Sequence, residues 1–124
     1  MFSQLIEIKK RREGRLRQQL ADETQQHLVR LKNLEIMIAQ RQQLQQEWRK
    51  TGREGQGNLT SQALSRLRQR LAGFHREDET MKAACSELEA AIRTWPDSRR
   101  LLETQIRRAT TEQEKLKYLA ENTF

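Results

Sequence analysis

The side chains best suited to chemistry in this sequence are two histidines, one cysteine and one short acidic run. His27 and His75 lie far apart, and neither has a second histidine or a cysteine at the spacing of a metal site. Cys85 has no histidine near it in sequence, which favours a small buried residue over a nucleophile. The acidic run at 77–79 has no predicted cleft that could raise a carboxyl pKa. We therefore expect no enzyme activity, no metal and no cofactor.

Three glycines could suggest a phosphate-binding loop. Gly52, Gly55 and Gly57 follow a predicted helix rather than a strand, and no Gly-Lys-Ser or Gly-Lys-Thr comes after them. Their neighbours are polar, which is typical of a turn. We predict that this segment joins two helices.

Basic residues give the strongest signal for a binding surface. Residues 9–17 carry six positive charges and one negative charge, a local net charge of +5. A second basic group lies within 99–117, and antiparallel pairing of two helices would bring both groups to one end. A merely solvated face is one interpretation. An acidic protein, nucleic acid or anionic lipid are the alternatives, and the few aromatic residues disfavour nucleic acid.

The composition sets the class of protein. The chain has 124 residues, with 24 Lys and Arg against 17 Asp and Glu, so its formal net charge is +7. Only 35% of the residues are hydrophobic, and mean hydropathy is −0.99. No apolar run approaches the roughly 20 residues of a membrane span, and no segment has the pattern of a secretory signal. Scarce glycine and proline predict long helices that share a thin apolar seam, the line of side chains between paired helices.

The second half of the chain has a regular heptad pattern. The a positions are Leu64, Leu71, Asp78, Cys85, Ile92, Arg99, Ile106, Gln113 and Ala120. The d positions are Leu67, Phe74, Met81, Leu88, Trp95, Leu102, Ala109, Leu116 and Thr123. A spacing of 3.5 residues sustained over this length predicts a coiled coil. The four polar members predict loose packing or local solvent.

The first half has a less regular stripe of apolar residues. Its members are Leu5, Ile8, Leu16, Leu20, Leu28, Leu31, Leu34 or Glu35, Ile38, Leu44 and Trp48. No alternation typical of strands is present. The fold class is therefore predicted as all-α, with two long helices in an antiparallel coiled-coil hairpin.

We predict one hairpin domain over residues 1–124. Its parts are a helix over about 3–50, a loop over about 51–59 and a helix over about 60–121. Ser3 is expected to cap the first helix, and Asn58 or Thr60 the second. With the turn centred near Gly55, residue i should lie near residue about 110−i, so that the chain beyond about Ala109 has no partner.

Pro96 leaves two possibilities for the second helix. Thr94 could cap a new helix that begins at Pro96. The alternative is one continuous helix that is kinked at Pro96. The heptad stays in phase across this residue, which favours the continuous helix.

A basic, glutamine-rich chain of this size that opens FSQLIEIKKRRE at residues 2–13 resembles the central stalk proteins of bacterial type III secretion ATPases, the FliJ/YscO family. The resemblance covers nearly the whole chain and rests on architecture, size and the basic first helix. It implies a non-enzymatic antiparallel coiled coil, similar to that in the γ subunit of rotary ATPases. The helix termini would enter the pore of a hexameric ATPase, promote its assembly and stimulate ATP hydrolysis for protein export.

The resemblance also implies further partners and a location. The loop end would point towards the export gate of the injectisome, with Trp48 as the main aromatic candidate for gate contact, and some family members bind secretion chaperones. The protein would act in the bacterial cytoplasm, peripherally at the secretion apparatus. It would be a monomer when free, with no membrane insertion and no nucleic acid partner.

The residues predicted to contact the ATPase combine basic and apolar side chains. They are Phe2, Leu5, Ile8, Lys9, Lys10, Arg11, Arg12, Arg15, Arg107, Arg108, Lys115, Lys117, Tyr118 and Leu119. Two other functions are open: a coiled-coil adaptor or chaperone-type scaffold, as a homodimer, and a basic helical hairpin that binds nucleic acid.

Overall fold

The structure is a computed structural model that describes residues 1–57 and 59–122. Helix α1 spans Phe2–Arg53, a short 3₁₀ turn spans Glu54–Gln56, and helix α2 spans Ser61–Asn122. No strand occurs in these residues. The predicted all-α hairpin of two antiparallel helices is confirmed.

The helix ends differ from the predicted ones at α1. This helix begins at Phe2, so Ser3 lies inside it and does not cap it. It also continues to Arg53 because Thr51, which is only 4% exposed, still packs in the seam. At the start of α2, the hydroxyl of Thr60 accepts a hydrogen bond from the backbone N–H of Ala63 at 3.1 Å, which is an N-cap. The other candidate cap, Asn58, lies outside the described residues.

The chain divides into two compact units, and both helices contribute to each. The terminal unit comprises residues 1–29 and the described part of 93–124, and the loop unit comprises 30–92. In the terminal unit the Lys9 ammonium lies 2.7 Å from the Glu112 carboxylate, and the His27 ring stacks on the Trp95 ring. In the loop unit Arg41 pairs with Asp78. The two helices therefore run antiparallel within each unit.

The heptad predicted for α2 is present. Trp95, Leu102, Ile106 and Ala109 are buried in the terminal unit, and Cys85 is buried in the loop unit. Leu64 and Arg99 are the exposed members among the predicted positions that the structure describes. Thr123 lies outside the described residues. Spacing alone was sufficient here because most seam residues of α2 are apolar.

The seam of α1 is nearly half polar, which explains its irregular hydropathy. Apart from Gln45, its buried and half-buried residues follow each other at alternating steps of three and four from Phe2 to Thr51. The polar members are Lys9, Glu13, Glu23, His27, Arg30, Arg41 and Thr51. The predicted stripe coincides with this seam at Leu16, Leu20, Leu34, Leu44 and Trp48. It was wrong at Leu5, Ile8, Leu28, Leu31 and Ile38, which are exposed.

The predicted pairing was also wrong. The numbers of paired residues add up to about 122 rather than 110, as for His27 with Trp95 and for Trp48 with His75. The reason is that the chain does not yet turn back at Gly55. This residue still packs against α2, since a Cβ placed on Gly55 would lie 2.7 Å from Leu67 Cδ2. Consequently the last turns of α2 have partners on α1, and Ala109 is only 3% exposed. The predicted overhang is therefore absent from the described residues, where Thr110, Glu112 and Gln113 all have partners on α1.

Helix α2 runs through Pro96 without a break, so no new helix begins there. The continuous-helix alternative is the one that the structure has. Among the described residues, neither helix has an apolar stretch that is long enough to cross a membrane.

Candidate functional site: the terminal surface

The terminal unit brings the two predicted basic groups together. Lys9 belongs to the first group and Glu112 lies within the second, and their side chains form an ion pair at 2.7 Å. The hydrogen bond from Lys9, together with its positive charge, lowers the pKa of Glu112. Since this pair joins α1 to α2, the predicted juxtaposition of residues 9–17 with 107–117 is present in the structure.

Some predicted contact residues serve the hairpin itself. Lys9 and Phe2 are half-buried seam residues, and the Lys9 charge is already paired with Glu112. Glu13, which was not predicted, lies at the centre of a polar cluster in the same seam. Its carboxylate accepts hydrogen bonds from the Gln113 amide at 2.7 Å, the Thr110 hydroxyl at 3.0 Å and the Arg17 guanidinium at 2.8 Å.

These hydrogen bonds change the acidity of Glu13. The bond from Gln113, then those from Arg17 and Thr110, lower its pKa from 4.5 to about 2. Gln113 also donates to the backbone carbonyl of Lys9 at 3.4 Å. Gln113 is therefore a satisfied buried residue, and its position does not loosen the seam or admit solvent as predicted.

The remaining basic residues of the prediction point outward. They are Lys10, Arg11, Arg12, Arg15, Arg107, Arg108, Lys115 and Lys117. Arg107 approaches Glu103 at 4.0 Å, and the Arg15 side chain donates to the backbone carbonyl of Arg11 at 3.4 Å. Both contacts are exposed and weak, so these cations remain accessible to a partner. We define these eight residues, with Leu5, Ile8, Tyr118 and Leu119, as the terminal surface.

The apolar members of the terminal surface are exposed. Tyr118 is 66% exposed and Ile8 is 55% exposed, and Leu5 and Leu119 also face solvent. Tyr118 and Leu119 line a shallow cavity of about 450 Å³ together with Thr111, Glu114 and Lys115. Exposed apolar groups together with exposed arginine are typical of a protein-binding surface. Leu101 was not predicted, yet it is exposed in the same unit.

The loop unit contains a second basic region that the sequence analysis did not single out. Residues 48–76 hold seven Arg and Lys residues and one acidic residue, a local net charge of +6. We define Arg49, Lys50, Arg53, Arg66, Arg68 and Arg70 as the basic cap; all are exposed. This region could have been found from the sequence. Counting charges over residues 48–76 gives a net charge as high as that of residues 9–17.

The polar seam residue of the loop unit is also satisfied. Asp78 accepts hydrogen bonds from Arg41 at 2.8 Å and from the Gln45 amide at 3.3 Å. The bond from Arg41 outweighs burial and lowers the pKa of Asp78. Trp48, the predicted gate contact, is half-buried and meets the His75 ring edge-on at 5.8 Å.

The loop unit also carries an apolar groove of about 500 Å³. Ile36 and Met37 line it from α1, and Ala84, Leu88 and Ala91 line it from α2. In the described part of the chain, no group of three or more His, Cys, Asp or Glu residues is placed to hold a metal ion. Comparison of the chain with protein-family models, with curated proteins and with solved structures finds no match.

Proposed function

We propose that this protein is a non-enzymatic central stalk of a type III secretion ATPase complex. The terminal surface would enter the pore of the hexameric ATPase, promote assembly of the hexamer and stimulate ATP hydrolysis for protein export. The observation that carries the proposal is the terminal surface: exposed cations and exposed apolar side chains from both helices lie in one unit. The likeness of the sequence to the stalk family supplies the identity of the partner.

The mechanism follows from a mismatch of symmetry. A hexamer has six equivalent subunits, whereas a single hairpin has no symmetry axis. Within the pore, Arg11 and Arg107 would meet acidic loops of some subunits, and Ile8 and Tyr118 would meet apolar parts of others. Unequal contacts give the subunits different free energies for each nucleotide state, which favours sequential rather than simultaneous hydrolysis.

The proposal extends to the location and to further partners. The protein would reside in the bacterial cytoplasm at the face of the secretion apparatus. The loop unit would face the export gate. Secretion chaperones would bind to the exposed sides of the helices.

The test measures ATP hydrolysis by the cognate hexameric ATPase with and without this protein. A terminal variant carries Lys10, Arg11, Arg107 and Lys115→Glu. Arg12 and Arg108 are spared because both act electrostatically on Glu112 in the Lys9 pair. The control variant carries Lys32, Arg76, Lys82 and Arg93→Glu, which are exposed cations outside the terminal surface. Each variant lowers the formal net charge from +7 to −1.

Selective loss of stimulation in the terminal variant, with unchanged helicity by circular dichroism, supports the proposal. Equal loss in both variants would attribute stimulation to net charge. Stimulation that survives in both would remove the terminal surface from the mechanism, and a wild-type protein that does not stimulate the ATPase is no stalk.

One observation favours a second function. The apolar groove of the loop unit, with Ile36 exposed on its edge, suits a coiled-coil adaptor that packs against another helix or a second copy. Sedimentation equilibrium separates the two functions, since a stalk is a monomer when free and the scaffold is a homodimer.

A further inference from the structure

The basic cap differs from the N-terminal basic run, residues 9–17, in how little of its charge is neutralised. None of its six cations lies at a seam position. Within the described residues, Arg70 has the one ion pair of the cap, with Glu54 at 3.4 Å, and both side chains are more than half exposed. In the N-terminal basic run, by contrast, Lys9 and Arg17 are held by Glu112 and Glu13.

The chemistry of the cap favours phosphate as its ligand. Five of its six cations are arginine, whose planar guanidinium can donate two parallel hydrogen bonds to a phosphate. Lys50 and Arg53 lie in the last turn of α1, where they offset the negative end of the helix dipole. The three cap cations on α2, Arg66, Arg68 and Arg70, lie near the N-terminal end of that helix and have no such role.

Apolar side chains lie among these arginines. Leu59 and Leu64 are 39% and 38% exposed. Leu59 lines a cavity of about 250 Å³ together with Ala63, Leu67, Arg66, Arg70 and Glu54, and Glu54 is the carboxylate that pairs with Arg70. This cavity therefore combines guanidinium groups with leucine side chains, which are the groups that meet a phospholipid headgroup and the acyl chain beneath it.

We propose that the basic cap binds the surface of a membrane that contains anionic phospholipids. The arginines would contact headgroup phosphates, and Leu59 and Leu64 would enter the boundary between headgroups and acyl chains. Membrane surfaces attract clusters of four to eight basic residues, and the cap has six. The aromatic side chains that border the cap, Trp48 and Phe74, are half-buried, which disfavours stacking on bases and so disfavours single-stranded nucleic acid. The proposal is independent of the ATPase, because it concerns other residues.

Flotation of vesicles tests the proposal with the full-length protein. One vesicle preparation is phosphatidylcholine alone, and the other has a quarter of it replaced by phosphatidylglycerol. The wild type should float with the anionic vesicles and stay behind with the neutral ones. Raising the salt concentration should release it, since the Debye length falls from about 10 Å at 0.1 M to about 3 Å at 1 M.

A cap variant with Arg49, Arg53, Arg66 and Arg68→Glu should lose roughly 100-fold or more in vesicle affinity, because each cation near an anionic surface contributes about a fivefold factor. The terminal variant described above has the same net charge of −1 and should float like the wild type. A Leu59→Ser variant keeps every cap charge and should bind the vesicles several-fold more weakly, so the proposal can be tested even where charge reversal disturbs folding.

Three results would overturn the proposal. One is failure of the wild type to bind anionic vesicles, or equal binding to neutral ones. Another is a terminal variant that loses as much affinity as the cap variant. The third is tighter binding to double-stranded DNA than to the vesicles, lost in the cap variant, which would assign the cap to nucleic acid.

Discussion

Arg41 Nε donates a hydrogen bond to Asp78 Oδ1 at 2.8 Å, across a seam that coiled coils usually fill with apolar side chains. Asp78 is only 7% exposed, whereas the Arg41 side chain reaches solvent. Gln45 gives Asp78 a second donor. The carboxylate is thus buried with its hydrogen bonds satisfied, and its contribution to stability depends on Arg41.

Replacing Asp78 alone should destabilise the hairpin. Asp78→Leu removes the three hydrogen bonds that Arg41 and Gln45 donate to the carboxylate and leaves the Arg41 guanidinium against an apolar side chain. We therefore expect the free energy of unfolding to fall by about 1–2 kcal/mol. Urea denaturation measures the change. The double variant Arg41→Leu, Asp78→Leu should recover most of the loss, since a buried pair can be exchanged for apolar residues at little cost. A single variant as stable as the wild type would show that the ion pair contributes nothing.

Acid should weaken the hairpin over a defined range of pH. The pKa of Glu13 is about 2 in the folded chain against an ordinary value of 4.5. A depressed pKa means that Glu13 stabilises the fold fully above about pH 4.5 and loses this effect as pH falls towards 2. Asp78 and Glu112 act in the same direction. The Tm should therefore decline over this range, and Glu13→Gln should make the decline shallower. An identical pH profile in the variant would contradict the role of Glu13.

Two adjacent leucines of α2 test the seam. Leu102 is 5% exposed and Leu101 is 61% exposed. Leu102→Ala should lower the free energy of unfolding by roughly 2–3 kcal/mol, because it removes buried methyl groups and leaves a cavity. Leu101→Ala should change it by less than about 0.5 kcal/mol. Thermal or urea denaturation compares them, and equal effects would mean that the seam is misplaced.

His27 occupies a place where an apolar ring should be better. Its ring stacks on Trp95 with centroids 5.2 Å apart, and its buried Nδ1 has no hydrogen-bond partner among the described residues. His27→Phe keeps the stacking and removes the unsatisfied nitrogen, so we expect a gain of roughly 1 kcal/mol. His75→Phe is the control, because His75 is exposed where it meets Trp48. A lower Tm for His27→Phe would indicate that the histidine has a polar partner in solution.

The two helices differ in how far their sequences predict their packing. In α2, leucine and other apolar residues recur at the heptad positions, and the register follows from hydropathy. In α1, Lys9, Glu13 and Arg41 occupy seam positions because each finds its partner on α2. Hydropathy of one helix cannot reveal a partner on the other, so the apolar stripe was placed partly on the outer face.

The candidate surfaces were predicted unevenly for a related reason. The basic group at 9–17 is contiguous and visible in the sequence, whereas the basic cap is assembled from two segments that the turn brings together. The spacing of the three glycines predicts a turn over about 51–59. Yet Gly52 lies within α1 and Gly55 within the 3₁₀ turn, where a Cβ on Gly55 would lie 2.7 Å from Leu67 Cδ2. This error alone moved the pairing by about 12 residues and created the false overhang.

The polar seam residues fix the register in which the two helices pair. Sliding one helix along the other by a heptad would keep most leucines in the seam. In the loop unit the slide would place Asp78 opposite Leu34 or Trp48 instead of Arg41. In the terminal unit it would set Gln113 against Ile6 or Leu20 instead of Glu13. Each misaligned hairpin would bury polar groups without hydrogen-bond partners. Apolar contacts alone would give the alignments similar free energies, but the unsatisfied polar groups raise the free energy of the misaligned ones.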